Sequence, residues 1–118
     1  MNSSIQLYII KIVENEMVII NEIRNRIKNG DYRFSEHAVK RMIKRSIENF
    51  EIEEVLLNGE IIEEYPDDKY APSCLIYGKT TKGRNLHVQL SVSPVVIITL
   101  YEPDSDEWID SKIRRQSK

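Results

Sequence analysis

Apolar positions recur at steps of three and four through the first quarter of the chain. Ile10, Val13, Met17, Ile20, Ile23 and Ile27 fall on one stripe, which predicts a helix over residues 5–29 closed by Asn29-Gly30. The β-branched run from Ile5 to Val13 is equally compatible with a short strand or an appended arm. Ser35 is a good N-cap for a second helix ending near Ser46, with Phe34 and Val39 placed for a hydrophobic staple and Glu36 in the first turn. A third, short helix is predicted from about Asn49 to Leu57, with Phe50, Ile52, Val55 and Leu56 facing in and Asn58-Gly59 closing it.

From Glu60 the period shifts towards two. Ile61–Tyr65 reads as a strand ended by Pro66 and an Asp-Asp-Lys turn, and Ser73–Thr80 as a second strand turned at Lys82-Gly83. Leu86 to Val92 alternates, with Leu86, Val88, Leu90 and Val92 on one face and His87, Gln89 and Ser91 on the other. After Ser93-Pro94, the nearly all-apolar run Val95–Tyr101 reads as a central strand. Helices first and consecutive strands afterwards predict an α+β fold, an antiparallel sheet of about four strands with the helices packed on one face.

A chain of 118 residues holds one domain, and 41% hydrophobic residues are too many for a disordered one. Cys74 is alone, which leaves no intrachain disulfide and no Cys-rich zinc site. The N-terminal apolar run is broken by Lys11, Glu14 and Glu16, and no stretch approaches the roughly 20 apolar residues of a bilayer span. The expected setting is a reducing cytoplasm, without a membrane partner.

The formal charge of −2 argues against a polyanion partner until it is resolved along the chain. Residues 33–45 carry Arg33, Lys40, Arg41, Lys44 and Arg45 against Glu36. Residues 48–68 are acidic without a single base, whereas residues 69–101 hold Lys69, Lys79, Lys82 and Arg84 and no acid. Residues 102–110 are acidic again and the tail is basic. Such runs are commonly solvated faces. If the fold gathers the second helix, the middle strands and the C-terminus, they form a basic cleft instead.

On the second helix, His37, Arg41, Lys44 and Arg45 occupy one face, with Ala38, Met42 and Ile43 on the other. An imidazole beside guanidinium groups suits phosphate chemistry, since the cations hold the anion and the imidazole moves a proton near neutral pH. The bland alternative pairs Arg41 and Arg45 with the acidic third helix and leaves His37 fixing a turn. His87 sits mid-strand on the polar face, where a histidine is either structural or catalytic. Tyr101 offers a phenol to a phosphate or a ring to the core. Arg114 and Arg115 form either a phosphate-contacting tail or a solubilising end. Two histidines without a His-x-x-x-His or Cys pair give no zinc signature, and Asp67-Asp68 and Asp104-x-Asp106 lack an EF-hand's Gly and terminal Glu. Cys74 reads as inert core. No cofactor or metal is called for, and acid–base chemistry on a phosphodiester is the surviving option.

The string Phe34-Ser35-Glu36-His37-Ala38 with Arg41 and Arg45, then Gly59-Glu60-Ile61-Ile62-Glu63-Glu64-Tyr65-Pro66-Asp67-Asp68, Pro72-Ser73-Cys74-Leu75-Ile76-Tyr77-Gly78, Gly83-Arg84-x-Leu86-His87-Val88, Ile98-Thr99-Leu100-Tyr101-Glu102-Pro103-Asp104 and Glu107-Trp108 closely resembles a family of small prokaryotic domains of unknown function. Members are often encoded beside a YgiT/MqsA-type zinc-finger antitoxin. The resemblance covers about residues 17–115, so residues 1–16 read as an N-terminal extension or helix arm and 17–118 as a single domain. The family is similar to RelE-, BrnT- and MqsR-type toxins of the barnase/EndoU/colicin/RelE superfamily of metal-independent ribonucleases.

That resemblance implies a small curved sheet and RNA cleavage on its concave face, by attack of a ribose 2′-hydroxyl to give a 2′,3′-cyclic phosphate. It makes His37 and His87 the general base and acid, in either order. Arg41, Arg45 and Arg84 would bind phosphate, Tyr101 and Arg115 would assist, and Lys44 and Arg114 would extend the cationic surface. One departure is Glu48 where the family has a Ser cap, which bears on stability rather than chemistry. The leading expectation is an endoribonuclease toxin of a type II toxin–antitoxin pair, with RNA as substrate and a small antitoxin as partner. Its rivals are a catalytically silent RNA- or protein-binding module and a homodimer built on the apolar N-terminal helix.

Overall fold

The computed structural model describes residues 3–116; Met1, Asn2, Ser117 and Lys118, the ends of the expected extension and domain, lie outside them. Helix α1 (Ser3–Lys28) is continuous through residue 16, so the run from Ile5 to Val13 is helical. It ends where Gly30 takes a φ of 69°, a conformation that costs glycine little. Strand β1 (Arg33–Phe34) and helices α2 (Glu36–Arg45) and α3 (Asn49–Asn58) follow. Then come β2 (Glu60–Tyr65), β3 (Ser73–Lys79), β4 (Asn85–Ser91) and β5 (Val96–Tyr101), and a small hairpin of β6 (Trp108–Ile109) and β7 (Ile113–Arg114).

The main sheet has the order β1-β5-β4-β3-β2. The α+β expectation holds, with two additions. β1 pairs parallel to β5 through Arg33↔Val96 and Phe34↔Ile97, making a fifth strand, and β6 and β7 form a second sheet. β5 is an interior strand, as its apolar run predicts, because the two residues of β1 flank it on the side away from β4.

Leu86, Val88 and Leu90 of β4 join Ile23, Ile27, Ile52, Val55 and Leu56 from α1 and α3 in one buried cluster. At the α3–β3 crossing, a Cβ on Gly78 would lie 3.1 Å from Val55, so glycine permits the close approach there. Arg24 of α1 closes the end of α3 by donating from Nη2 to the Gly59 carbonyl at 2.8 Å. Cys74 is buried in this layer, and burial pushes its thiol pKa up to about 12, as an inert core cysteine requires. Two side chains expected to face inward do not. Phe50 is 42% and Ile43 75% exposed, because α2 and α3 are short and each buries only one narrow stripe.

α1 is 26 residues, about 39 Å, and only its C-terminal half reaches the sheet. Ile23 and Ile27 are buried, whereas every large apolar side chain from Ile5 to Val18 is at least 40% exposed. Ile5, Ile9 and Ile12 continue the stripe that Ile19, Ile23 and Ile27 use on the core. Deleting residues 1–13 is therefore expected to leave the melting temperature within about 2 °C, since groups without buried neighbours contribute little; a fall of tens of degrees in thermal denaturation would mean that the outer half supports the core. Among the described residues no helix is long and apolar enough to cross a membrane.

Candidate functional site

Ser35 holds the start of α2 against the sheet. Its Oγ accepts from the Ala38 amide at 3.0 Å as the helix cap and donates to the Ile98 carbonyl of β5 at 2.7 Å. Two residues on, this anchoring sets Nε2 of exposed His37 3.0 Å from Thr99 Oγ1. Arg41, Lys44 and Arg45 continue along α2. Among the described residues none of these three side chains has an ion pair or hydrogen-bond partner, and neither has Arg33 on β1. Lys40 differs, because Glu36 sits 3.2 Å from its Nζ.

His87, on the same sheet face, is fully buried. Its Nε2–H donates to the Ser111 carbonyl at 2.5 Å, and its Nδ1 accepts from the Tyr101 hydroxyl at 3.3 Å. A carbonyl can only accept, which fixes this tautomer. Trp108 of the hairpin meets the imidazole edge-on at 4.5 Å between ring centres. Burial lowers the His87 pKa, although the Ser111 bond and Glu63 oppose that. His87 thus joins the C-terminal hairpin to the sheet as a neutral ring.

The two histidines do not touch. They reach neighbouring same-face positions of β5, His37 at Thr99 and His87 at Tyr101, where alternate Cα atoms are about 7 Å apart. Gln89 lies opposite Thr99 in the antiparallel register and continues the polar row. Its Nε2 donates to Ser73 Oγ at 3.2 Å and to Asp68 Oδ2 at 3.4 Å, and Ser73 Oγ donates to the same carboxylate oxygen at 2.6 Å. Beyond this network an open groove of about 580 Å³ runs past Tyr65 and Arg114, and a cavity of about 510 Å³ lies towards Arg33.

The other arginines named from the sequence are engaged. Arg84 donates to the carbonyls of Arg45 and Ser46 at 3.0 Å each, closing the C-terminus of α2. Its Nε also lies 3.3 Å from buried Glu51, and Nη1 3.5 Å from Glu102. Arg114 binds Glu63 at 3.1 Å and stacks on Trp108 at 4.5 Å, and Arg115 donates to the Ser105 carbonyl at 2.9 Å. Burial raises the Glu63 pKa, but the hydrogen bonds from Arg114 and Tyr65 outweigh it and hold the carboxyl below its usual range. Lys82 and Lys112 pair with Glu48 and Glu60.

The acidic blocks thus meet the strand and tail cations instead of lying apart from them. The expected three-part basic cleft contracts to α2 and Arg33. Thr99 carries no signal by residue type, and Arg33 and Asp68 read from the sequence only as a member of a basic block and as half of an incomplete cation pair, because their places here arise from register across the sheet. Among the described residues no three His, Cys, Asp or Glu side chains are grouped to hold a metal ion.

Fold and site together define a small α+β domain with one sheet face buried under helices and the other polar and edged by unpaired cations. Residues 34–102, more than half of the chain, match the domain of unknown function DUF4258, and the chain belongs to that family. The match runs from β1 through β5 to Glu102, leaving α1 and the C-terminal hairpin outside it. No curated protein and no solved structure matches the chain.

Proposed function

We propose that this protein binds single-stranded RNA along α2 and the polar sheet face and cleaves it, acting as the endoribonuclease toxin of a type II toxin–antitoxin pair. The observation that carries the reading is an exposed imidazole, His37, anchored on Thr99 at 3.0 Å beside the unpaired cations Arg41, Lys44 and Arg45. The strand and tail arginines Arg84, Arg114 and Arg115 are by contrast tied to carboxylates or carbonyls, so the α2 cations are the ones that stand beside an exposed imidazole without partners.

In the proposed reaction His37 takes the proton of a ribose 2′-hydroxyl, and the freed oxygen attacks the adjacent phosphorus. The bond to the 5′-oxygen breaks, leaving a 2′,3′-cyclic phosphate, while Arg41 and Arg45 neutralise the phosphorane charge. Tyr101, its O–H turning from His87 Nδ1 to the departing oxygen, supplies the proton to that alkoxide, which is far more basic than a phenolate. Burial raises the Tyr101 pKa and so keeps the phenol protonated. His87 acts by orienting Tyr101 rather than by shuttling a proton, since both its nitrogens are bonded. Arg84, Arg114 and Arg115 maintain the frame in which α2 and the hairpin are held. A small antitoxin, of zinc-finger type in the reading from the sequence, would silence the site by covering the α2 cations.

A second reading, RNA binding without cleavage, is favoured by one observation: His87 is completely buried, which counts against a mechanism that shuttles protons through two histidines. Incubating end-labelled single-stranded RNA with the purified protein in EDTA separates the two. Wild type is expected to cleave, and His37→Ala to lose at least about 10²-fold in rate with an unchanged melting temperature. RNA bound but uncut, with a log–log salt slope near about −3 from four phosphate contacts, would establish the silent module instead. Neither binding nor cleavage would overturn both.

A further inference from the structure

We propose that the cavity of about 510 Å³ between Arg33 and Gln89 is a nucleobase subsite selecting guanine. This rests on the RNA reading above and extends it to sequence preference. The volume lies within the range of small-molecule sites, and Pro94, Val96 and Ile98 supply apolar lining. The β4–β5 register breaks between Gln89 and Leu90, leaving Ile98 as the unpaired residue on β5, next to Thr99. The cavity is therefore lined by Ile98 and Gln89, the chain neighbour and the cross-strand partner of Thr99, on which His37 is anchored.

Tyr70 is 90% exposed at its mouth. Lys69 Nζ stands 5.3 Å from the ring centre, leaving the opposite π-face for a base to stack on. Arg33, with no partner among the described residues, is placed for the phosphate on that side.

Selectivity follows from acceptor capacity. Gln89 Nε2 is committed to Ser73 and Asp68, which turns the amide so that Oε1, unpartnered among the described residues, remains an acceptor. Asp68 Oδ2 takes the bonds from Ser73 and Gln89, while Oδ1 accepts only from the Lys69 amide at 2.8 Å and retains a lone pair. Gln89 and Asp68, both lining the cavity, thus offer it two acceptors with unfilled capacity. Guanine alone among the four bases carries two adjacent donors, N1–H and N2–H, on its pairing edge. Adenine and cytosine place an acceptor beside their amino group, and uracil flanks its N–H with carbonyls.

The test compares an all-adenosine RNA 9-mer with the same strand holding one central guanosine, bound to the full protein at fixed salt, alongside 5′-GMP followed by NMR. The guanosine strand is expected to bind at least about tenfold tighter. Gln89→Leu should bring the two strands within about twofold, and Tyr70→Ala, at an exposed position that the fold does not need, should weaken the guanosine strand about tenfold. Equal binding of both strands by wild type overturns the subsite and leaves the RNA reading standing. A preference that survives both substitutions overturns its placement in this cavity. Saturable 5′-GMP shifts at Tyr70 and Gln89 with no binding of either strand would uphold the subsite and defeat the RNA reading.

Discussion

Arg84→Ala should lower the melting temperature by about 10 °C, equivalent to a loss of about 3 kcal/mol in a chain of this size. The guanidinium gathers four acceptors from three places in the sequence: the carbonyls of Arg45 and Ser46, the carboxylate of Glu51 and that of Glu102. Glu51 is fully buried and also receives the Thr80 hydroxyl at 3.3 Å and the Glu48 amide at 3.0 Å. Removing Arg84 leaves a buried carboxylate with only neutral donors and opens the last carbonyls of α2. Because 26% of the Arg84 side chain stays in water, the cost falls at the lower end for a broken buried pair.

Arg84→Lys should recover little, since an ammonium cannot span a fork of acceptors. Replacing both partners, Glu51→Leu with Arg84→Met, should restore much of the loss by removing the stranded charge. Thermal denaturation reads all three. A loss under about 1 kcal/mol in Arg84→Ala would return Arg84 to the cations free to meet a ligand.

Trp108→Ala should cost about 3 kcal/mol and detach the C-terminal hairpin from the sheet. Trp108 is 2% exposed and closes over the His87 ring, so its loss admits water to an imidazole that burial holds below its ordinary pKa. The same burial predicts a pH dependence. The unfolded chain takes up a proton at His87 near 6.5, while the folded chain resists it until lower pH. The contribution of neutral His87 is complete above that value and is lost as pH falls towards the folded pKa, with a slope of at most about 1.4 kcal/mol per pH unit. Between pH 7 and 5 the stability of His87→Gln should therefore fall less than that of wild type, as the amide can still donate to Ser111. Parallel pH profiles for the two proteins would show that His87 is not held neutral by its burial. On the proposed reaction, Trp108→Ala would also lose cleavage, through a misplaced Tyr101.

Much of the fold was legible because its signals are local. Ser35 followed by Glu36 marked the start of α2 from the capping requirement, and the alternation Leu86–Val92 assigned His87 and Gln89 to the polar face. The two-residue strand β1 was not legible, since its only support is the distant β5 backbone. The hairpin was missed because Asp104 to Glu107 reads as an acidic loop, and the burial of Trp108 depends on a histidine twenty-one positions away.

For the site the division is similar. Helical spacing alone put His37, Arg41, Lys44 and Arg45 on one face, a consequence of 3.6 residues per turn that needs no tertiary contact. Composition along the chain likewise showed where like charges cluster. Which clusters remain available to a ligand is a long-range matter, because an ion pair needs its partners within about 4 Å. Glu51 and Arg84, or Glu63 and Arg114, are brought to that distance by the packing of α3 and of the hairpin. Those pairings commit Arg84 and Arg114 to the frame, while Arg41, Lys44 and Arg45 of α2 and Arg33 are left facing solvent. Helix anchoring and sheet register then bring His37 of α2 and His87 of β4 to Thr99 and Tyr101, alternate residues on one face of β5, one histidine exposed and one sealed, a distinction that identical side chains could not carry in the sequence.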